Sequence, residues 1–365
     1  MQKKVRTPIV WFGVFMALML FQTSYMRLGT LTAFGALACT IFTAFSSGNT
    51  SIEDFRFPLG SKILIVFLVL TTLVTIIYGN LPGYYGRFVA QIILCIVLAT
   101  IRLNEREAEF LQWAFVISAA FYSLMTIRSC IQLEGIRYLH DNIVLFNAQL
   151  DPNFIGIPFV SASVLLLDNI LDNQKRIISF VLYIVILIAI IYTASRGNLI
   201  CLVLSNVILL IFYLVRRDVS ITVKAIWIVI IVLVACYLIY YLSVNYEQQW
   251  ERMTELGEGS DNGRFELWTR AFDAWEQSPI WGNGLGAMYR IYGKASHNSY
   301  FQLLSETGIS GLLLFLWFSV KLLMKAVRYH KAYFCMLIGM LAQIAFLDAA
   351  DNRCVWIVFC WMSML

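Results

Sequence analysis

Long apolar stretches separated by short polar turns recur along the whole chain. A membrane-spanning helix needs about 20 mostly apolar residues, with a range of about 17–25. Stretches of this kind predict spans at Ile9–Tyr25, Leu28–Phe45, Ile63–Tyr78, Phe88–Ile101, Phe110–Ile127, Phe154–Leu171, Ile177–Tyr192, Asn198–Val215, Ala225–Val244, Ile309–Met324 and Ala332–Leu347. A last stretch, Cys354–Leu365, would reach only about 18 Å as a helix, whereas the hydrocarbon core is roughly 30 Å thick. The sequence therefore leaves open whether this stretch spans the membrane. The pattern predicts an all-α fold, a polytopic transmembrane bundle of 11–12 helices in a single integral membrane domain, residues 1–365.

Composition supports the same fold class. The chain is 60% hydrophobic and 13% charged, whereas soluble domains are about 45–50% apolar and about 25% charged. A soluble enzyme and a disordered protein are therefore excluded. The net charge of +5 is spread over short segments and forms no basic face, so no nucleic-acid partner is expected.

The basic residues predict the orientation. With the N-terminus in the cytoplasm, the inner segments carry 16 of the 27 Lys and Arg residues, and short outer segments carry 6. This asymmetry follows the positive-inside rule. It places four features outside: the segment Arg128–Asn153, the turn Ser195–Gly197, the loop Asn245–His297 and the turn Asp348–Arg353. Because ATP is absent there, chemistry on this face needs a substrate that carries its own activation. We take residues 245–298 as the extracytoplasmic loop of the domain.

Arg196 lies in a very short turn between two apolar helices, Ser195-Arg196-Gly197-Asn198. It could simply extend to the lipid headgroups. Alternatively, it could bind an anion, because a helix begins here with free N–H groups and a guanidinium beside them suits a phosphate or diphosphate. The turn alone favours neither interpretation.

The long outer loop contains an amphipathic helix. Its aromatic residues recur at helical spacing, at Phe265, Trp268, Phe272 and Trp275, and fit a helix on the membrane interface or packed on the bundle. Arg270 can pair with Glu266 or Asp273, so an ion pair explains it. Arg264 borders the aromatic face without an acidic residue at i+3 or i+4. Stacking on Trp268 is its structural alternative, and Arg264 is the better functional candidate of the two arginines.

The remaining candidate features are a histidine, a helix start and a glycine-rich turn. His297 lies at the predicted membrane edge, and imidazole suits proton transfer near neutral pH, although a lone histidine at a helix start is more often structural. Asp151-Pro152-Asn153 is typical of a helix start, with a substrate contact as the second interpretation. The glycines at 282, 284 and 286 favour a tight return turn over a phosphate loop. No metal site is expected, since no ligand pair recurs at i, i+4 on an outer helix.

In this order, the motifs resemble the O-antigen ligase and polymerase superfamily of bacterial envelope enzymes. The resemblance covers roughly Asp151 to Gly311. It rests on Asp151-Pro152-Asn153, Ser195-Arg196-Gly197, Arg264 with Trp268, Pro279-Ile280-Trp281-Gly282-Asn283-Gly284-Leu285-Gly286, His297-Asn298-Ser299-Tyr300 and Glu306-Thr307-Gly308-Ile309-Ser310-Gly311.

The resemblance implies a metal-independent, cofactor-free glycosyltransferase of the bacterial cytoplasmic (inner) membrane. The donor would be a glycan on undecaprenyl diphosphate. Arg196 and Arg264 would bind the diphosphate and His297 would take the acceptor proton, with Asp151, Asn153, Asn298 and Trp268 in support.

Three functions follow from this resemblance and from the membrane topology. A polymerase that joins lipid-linked repeat units into surface polysaccharide is preferred. A ligase that moves the glycan to lipid A core or a protein is the alternative, and a transporter ranks third because the helix interiors hold few charges. Membrane lipids, a chain-length regulator and a flippase of the same pathway are the expected partners.

Overall fold

The computed structural model describes residues 4–21, 28–46, 58–79, 82–132, 143–145, 148–172, 174–215 and 263–365, with a few single positions between 220 and 244. The helices are α1 (Thr7–Ala17), α2 (Leu28–Ser46), α3 (Leu59–Tyr78), α4 (Pro82–Leu98), α5 (Glu105–Gln132), α6 (Pro152–Leu171), α7 (Arg176–Tyr192), α8 (Arg196–Val215), α9 (Arg264–Gln277), α10 (Ala287–Tyr292), α11 (Ser299–Tyr329), α12 (Lys331–Gln343) and α13 (Arg353–Met364). Most of the predicted helix Ala225–Val244, and the start of the predicted loop, 245–262, lie outside the described residues. The all-α prediction is confirmed.

The helices carry an apolar outer surface. Within the described chain, five helices are long and apolar enough to cross a membrane: Leu59–Tyr78, Glu105–Ile131, Pro152–Leu171, Arg196–Val215 and Ser299–Tyr329. Ile76, Ile77 and Ile177 each expose more than two thirds of their surface. Soluble monomers rarely expose large apolar patches. The protein is a polytopic helical membrane protein.

Polar contacts fall into two groups at opposite ends of the bundle. At one end, called here the His297 end, Ser299 N donates to Ile344 O over 2.9 Å and Asn198 accepts from Gln343 over 3.0 Å. At the other, the Arg6 end, Arg6 pairs with Glu107 over 2.6 Å and Lys175 pairs with Glu109 over 2.9 Å. All four features predicted to lie outside have described residues at the His297 end.

Two helices form the centre of the bundle. Nearly every residue of α6 is buried, and all of α13 from Cys354 to Met364 is buried. Both sequences are apolar on all sides, as expected for a helix enclosed by others. At the His297 end, Arg353 donates to Leu18 O, and at the Arg6 end Leu103 N donates to Met364 O over 3.0 Å. The last apolar stretch is therefore a core helix.

Several predicted boundaries differ from the structure. The predicted first span continues to Tyr25, whereas α1 ends at Ala17. The predicted tenth span begins at Ile309, whereas α11 begins at Ser299 and is broken at Gly308. A short hairpin, β1 (Ile143–Leu145) with β2 (Ala148–Leu150), pairs antiparallel within the predicted outer segment. It ends one residue before Asp151 and anchors it.

Candidate functional site

The start of α6 and the start of α8 meet at the His297 end. Asp151 caps α6 by accepting from Asn153 N over 2.8 Å, as the sequence favours. Ser195 caps α8 by accepting from Asn198 N over 3.3 Å and donates to Asn153 Oδ1 over 2.6 Å. Two sequence motifs that are more than 40 residues apart thus form one unit, with Arg196 at the first position of α8.

The close approach of these helices depends on a glycine. Asn198 Nδ2 donates to Pro152 O over 3.1 Å. A Cβ at Gly156 would overlap the Asn198 side chain. Small residues of this kind let membrane helices pack closely. Asn153 and Asn198 therefore position the turn that carries Arg196, which is half-buried.

His297 lies in a tightly bonded turn before α11. Asn298 caps α11 by accepting from Tyr300 N over 2.9 Å and Phe301 N over 3.2 Å, and Ser296 Oγ donates to Asn298 O over 2.7 Å. The cap is thus Asn298, and the imidazole of His297 has no hydrogen-bond partner within the described part of the chain. His297 has a φ of 53°. A left-handed conformation in a non-glycine residue costs about 1–3 kcal/mol and is found preferentially at functional sites.

Two other candidate residues, Arg264 and Asp151, act electrostatically on His297. Partial desolvation lowers the pKa of His297 first, and the positive charges of Arg264 and Lys294 lower it further, whereas Asp151 opposes them. Interactions of this kind require short separations. The structure therefore brings Arg264, Asp151 and His297 into one neighbourhood, and Asp151 links them through Asn153 to the Ser195–Arg196 turn. The lowered pKa favours the neutral imidazole, the form that can accept a proton.

The loop helix α9 packs on the start of α11. Leu267, Ala271 and Ala274 are its buried residues, whereas Phe265 is 64% exposed and Phe272 is 40% exposed. The predicted aromatic stripe therefore lies beside the buried face and only partly in contact with the bundle.

Three of the predicted loop residues occupy distinct environments. Trp268 lies 5.4 Å from the ring of Phe301, and its Nε1 has no hydrogen-bond partner within the described part of the chain. Arg270 pairs with Glu266 over 2.5 Å, so its predicted ion pair is confirmed. Arg264 is half-buried at the first position of α9.

The glycine turn after α9 joins the break in α11. Asn283 N donates to Ser305 O over 3.1 Å, Gly284 N donates to Glu306 O over 2.9 Å, and Ile309 N donates to Pro279 O over 2.9 Å. These bonds provide partners for the backbone N–H and C=O groups that lose their helical hydrogen bonds at the break, as an apolar environment requires. The predicted return turn is therefore structural, since Asn283 N and Gly284 N are used within the protein.

A substitution at this junction should destabilise the fold. Gly308 has φ 65° and ψ −174°, and a Cβ there would overlap the backbone at Ile280. We expect Gly308→Ala to lower the free energy of unfolding by roughly 3 kcal/mol or more. Gly293 is the matched control, because its φ is +69° and nothing lies within 4 Å of an added Cβ. Gly293→Ala should cost only about 1–2 kcal/mol. Thermal unfolding in detergent micelles measures both, and equal losses would contradict a close approach at Gly308.

A side-chain network fixes the turn from the other side. Ser296 N donates to Gln302 Oε1 over 3.0 Å, Gln302 Nε2 donates to Glu306 Oε1, and Tyr84 OH donates to Glu306 Oε2 over 3.3 Å. Glu306 is fully buried. The sequence analysis gave Glu306 no role beyond its motif, and the network indicates that it helps to position the His297 turn.

A cavity of about 710 Å³ borders this site. Asp151 lines it together with Asp348 and Asp351 of the turn between α12 and α13. Sequence reasoning placed this turn on the outer face but assigned it no function. The orientation rule was the available signal, because it put both carboxylates on the same face as His297.

Another group of ionisable side chains lies at the Arg6 end. Asp168, Asp172 and His330 have ligand atoms within 4.8 Å of one another, and His330 Nδ1 lies 3.6 Å from Asp168 Oδ2. His330 Nδ1 also accepts from Ala332 N over 3.3 Å. This group is remote from His297. His140, the remaining histidine, lies outside the described residues.

Comparison with known families agrees with the motifs. A sequence model of the O-antigen ligase family matches residues 180–316. That range contains Arg196, Arg264, the glycine turn and the His297 turn, whereas Asp151 and Asp348 lie outside it. No curated protein matches the chain. The resemblance to the O-antigen ligase and polymerase superfamily is confirmed, and the match supports a glycosyl-transferring membrane enzyme of that type.

Proposed function

We propose that the protein is a polymerase that joins undecaprenyl-diphosphate-linked oligosaccharide repeat units into surface polysaccharide. The observation that carries the proposal is the convergence of Arg264, Asp151 and His297 at one end of the bundle, with Arg196 one residue from the Ser195–Asn153 bond. Arginine is suited to diphosphate, and a neutral imidazole is suited to accepting a proton.

The proposed reaction is a group transfer at the anomeric carbon of the donor. The acceptor hydroxyl oxygen forms a bond to that carbon, while the bond between the carbon and the diphosphate oxygen breaks. Undecaprenyl diphosphate leaves with the electron pair, and the hydroxyl proton goes to the imidazole of His297. Arg196 and Arg264 stabilise the negative charge that develops on the leaving group. The sugar–diphosphate bond supplies the driving force, so the reaction needs neither a cofactor nor a metal.

A ligase is the second candidate, because the matching family is described as O-antigen ligase. The chemistry is the same, and only the acceptor differs. We favour the polymerase because the described loop, α9, α10 and the glycine turn, is mostly bonded back onto the bundle. This described part of the loop thus leaves little dedicated surface for a lipid A core or a protein acceptor.

Deletion of the gene in its own host separates these functions. Loss of a polymerase should leave single repeat units at the cell surface, because a separate ligase still attaches them. Loss of a ligase should leave long chains on undecaprenyl diphosphate with none attached at the surface. The second result would reject the polymerase. Mass spectrometry of the products that the purified protein makes from a defined lipid-linked oligosaccharide tests the activity directly.

The proposal requires the His297 end to face away from the cytoplasm of the inner membrane. We expect a cysteine at position 294 to react with an impermeant thiol reagent in spheroplasts, and one at position 175 to react only after the membrane is opened. Both lysines lie in exposed turns, at opposite ends of the bundle. Labelling of position 175 in sealed spheroplasts would reverse the orientation and remove the support from the positive-inside rule.

A further inference from the structure

The cavity at the His297 end adjoins the candidate site but does not include its cationic residues. Neither Arg196, Arg264 nor His297 lines it. Ala349 N donates to Ser299 Oγ over 2.8 Å. Ala349 follows Asp348, and Ser299 lies two residues after His297. Asp151 borders the cavity and also acts electrostatically on His297. The cavity and the His297 turn are therefore neighbours that share Asp151.

Two residues that line this cavity each have a buried oxygen atom without a hydrogen-bond donor. Asp348 and Gln91 are each 7% exposed, and Asp348 Oδ1 and Gln91 Oε1 have no partner among the described residues. Their other polar atoms are engaged: Tyr289 OH donates to Asp348 Oδ2 over 3.2 Å, and Gln91 Nε2 donates to Asp351 O over 2.9 Å. The side chains are thus held in place, and two acceptors remain that a ligand with hydrogen-bond donors would satisfy.

The charges of the cavity disfavour a phosphate. Its arginines are already engaged, because Arg87 pairs with Asp351 over 2.7 Å and Arg353 donates to Leu18 O over 2.8 Å. Asp151 and Asp348 add negative charge. Burial and the charge of Asp351 raise the pKa of Asp348 to about 7. Asp348 is therefore charged in part of the molecules at neutral pH, and a hydroxyl group can bond to either form because it both donates and accepts.

We propose that this cavity binds the acceptor sugar, through hydroxyl or amino groups that donate to Asp348 and Gln91. The proposal rests on the glycosyl-transfer function argued above and assigns the second substrate to its own site. The arrangement separates the two substrates by charge: the arginines would hold the donor diphosphate, whereas carboxylates line the cavity, and Arg264 and Asp151 both act electrostatically on His297. An acceptor hydroxyl at the border of the cavity would then be close to the imidazole.

A kinetic experiment with two distinct substrates tests the assignment. The donor is the lipid-linked repeat unit purified from host membranes. The acceptor is the same oligosaccharide released by mild acid, which lacks diphosphate and cannot act as a donor. We expect Asp348→Leu to raise the KM for the released oligosaccharide by about 10–100-fold, and Gln91→Met by about 2–10-fold, because charged and neutral hydrogen bonds differ in strength. With the released oligosaccharide in excess, so that it outcompetes the lipid-linked unit as acceptor, the donor KM should not change. Asp168→Asn, at the Arg6 end, is the control and should alter neither constant.

Each outcome decides the assignment. A normal acceptor KM in folded Gln91→Met would overturn the assignment, as would an increase in the donor KM alone. If Asp348→Leu does not fold, Gln91→Met decides the test. If the wild-type protein does not lengthen the acceptor, the polymerase proposal fails on its own. Binding of the released oligosaccharide, measured by saturation-transfer NMR, then tests the cavity separately. Loss of binding in Gln91→Met supports the cavity, whereas equal binding in wild type and variant rejects it.

Discussion

Replacement of His297 by alanine should slow glycan transfer by roughly 10²–10⁴-fold, the usual contribution of a general acid–base group. The protein should remain folded, because Asn298 and Ser296 hold the turn through their own hydrogen bonds. Donor binding should also survive, since Arg196 and Arg264 are unchanged. Turnover of the lipid-linked donor, measured beside its dissociation constant, separates these effects. Near-normal turnover in His297→Ala would make His297 a structural residue.

The pH dependence of the reaction provides an independent test of His297. Because desolvation and Arg264 hold the pKa of His297 below its usual value of about 6.5, activity should persist below that pH and fall as the imidazole becomes protonated. Asp151 opposes this shift. Asp151→Asn should therefore move the acidic limb of the profile to still lower pH. A shift toward higher pH would show that Asp151 does not act on the group that titrates.

Arg196→Lys should lower the transfer rate by about 10–100-fold, the value of one or two hydrogen bonds to a charged group. Lysine keeps the positive charge but lacks the planar pair of donors that holds two oxygens at once. An arginine that only extends to lipid headgroups would be replaced without loss. Full activity of Arg196→Lys in the same turnover assay would therefore assign this residue to the membrane interface.

The loop helix supplies a matched pair of arginines for the same assay. Arg264→Ala should be as damaging as Arg196→Ala. Arg270→Ala should be mild, because its partner Glu266 is exposed and an ion pair of this kind contributes only about 0.3–0.5 kcal/mol. A larger effect at Arg270 than at Arg264 would show that the other face of α9 contacts the substrate.

Apolar periodicity was sufficient for most of the bundle, because a lipid-facing helix must be apolar over its whole length. It also predicted the loop helix and the Arg270–Glu266 pair, since both depend on spacing along one helix. The break in α11 was not predicted. Gly308 leaves the helical conformation because Pro279, Asn283 and Gly284 supply partners for its neighbours, and those residues lie more than 20 positions away.

In the candidate site, too, the sequence predicted the local contacts and not the contacts between distant residues. The caps at Asp151 and Ser195 are local, and residue type alone indicates them. The bond from Ser195 to Asn153, and the cavity that joins α4 to the Asp348 turn, depend on tertiary packing. Single-chain patterns carry no information on such pairs. The sequence therefore predicted Asp348 on the same face as His297 without a function, and no local pattern indicated Gln91.

The length of α13 determines how deep the acceptor cavity lies. Its 12 residues extend for only about 18 Å, whereas the hydrocarbon layer is roughly 30 Å thick. Because Met364 is bonded to Leu103 at the Arg6 end, the turn at Asp348–Asn352 lies only about 18 Å from that end, which would place it below the level of the opposite headgroups. An acceptor sugar would then have to descend to reach these carboxylates, and α1 and α2 form one wall of the cavity that it would enter. A substrate tethered to a long prenyl chain could enter sideways at that depth, whereas a freely diffusing oligosaccharide would have to enter from the aqueous side.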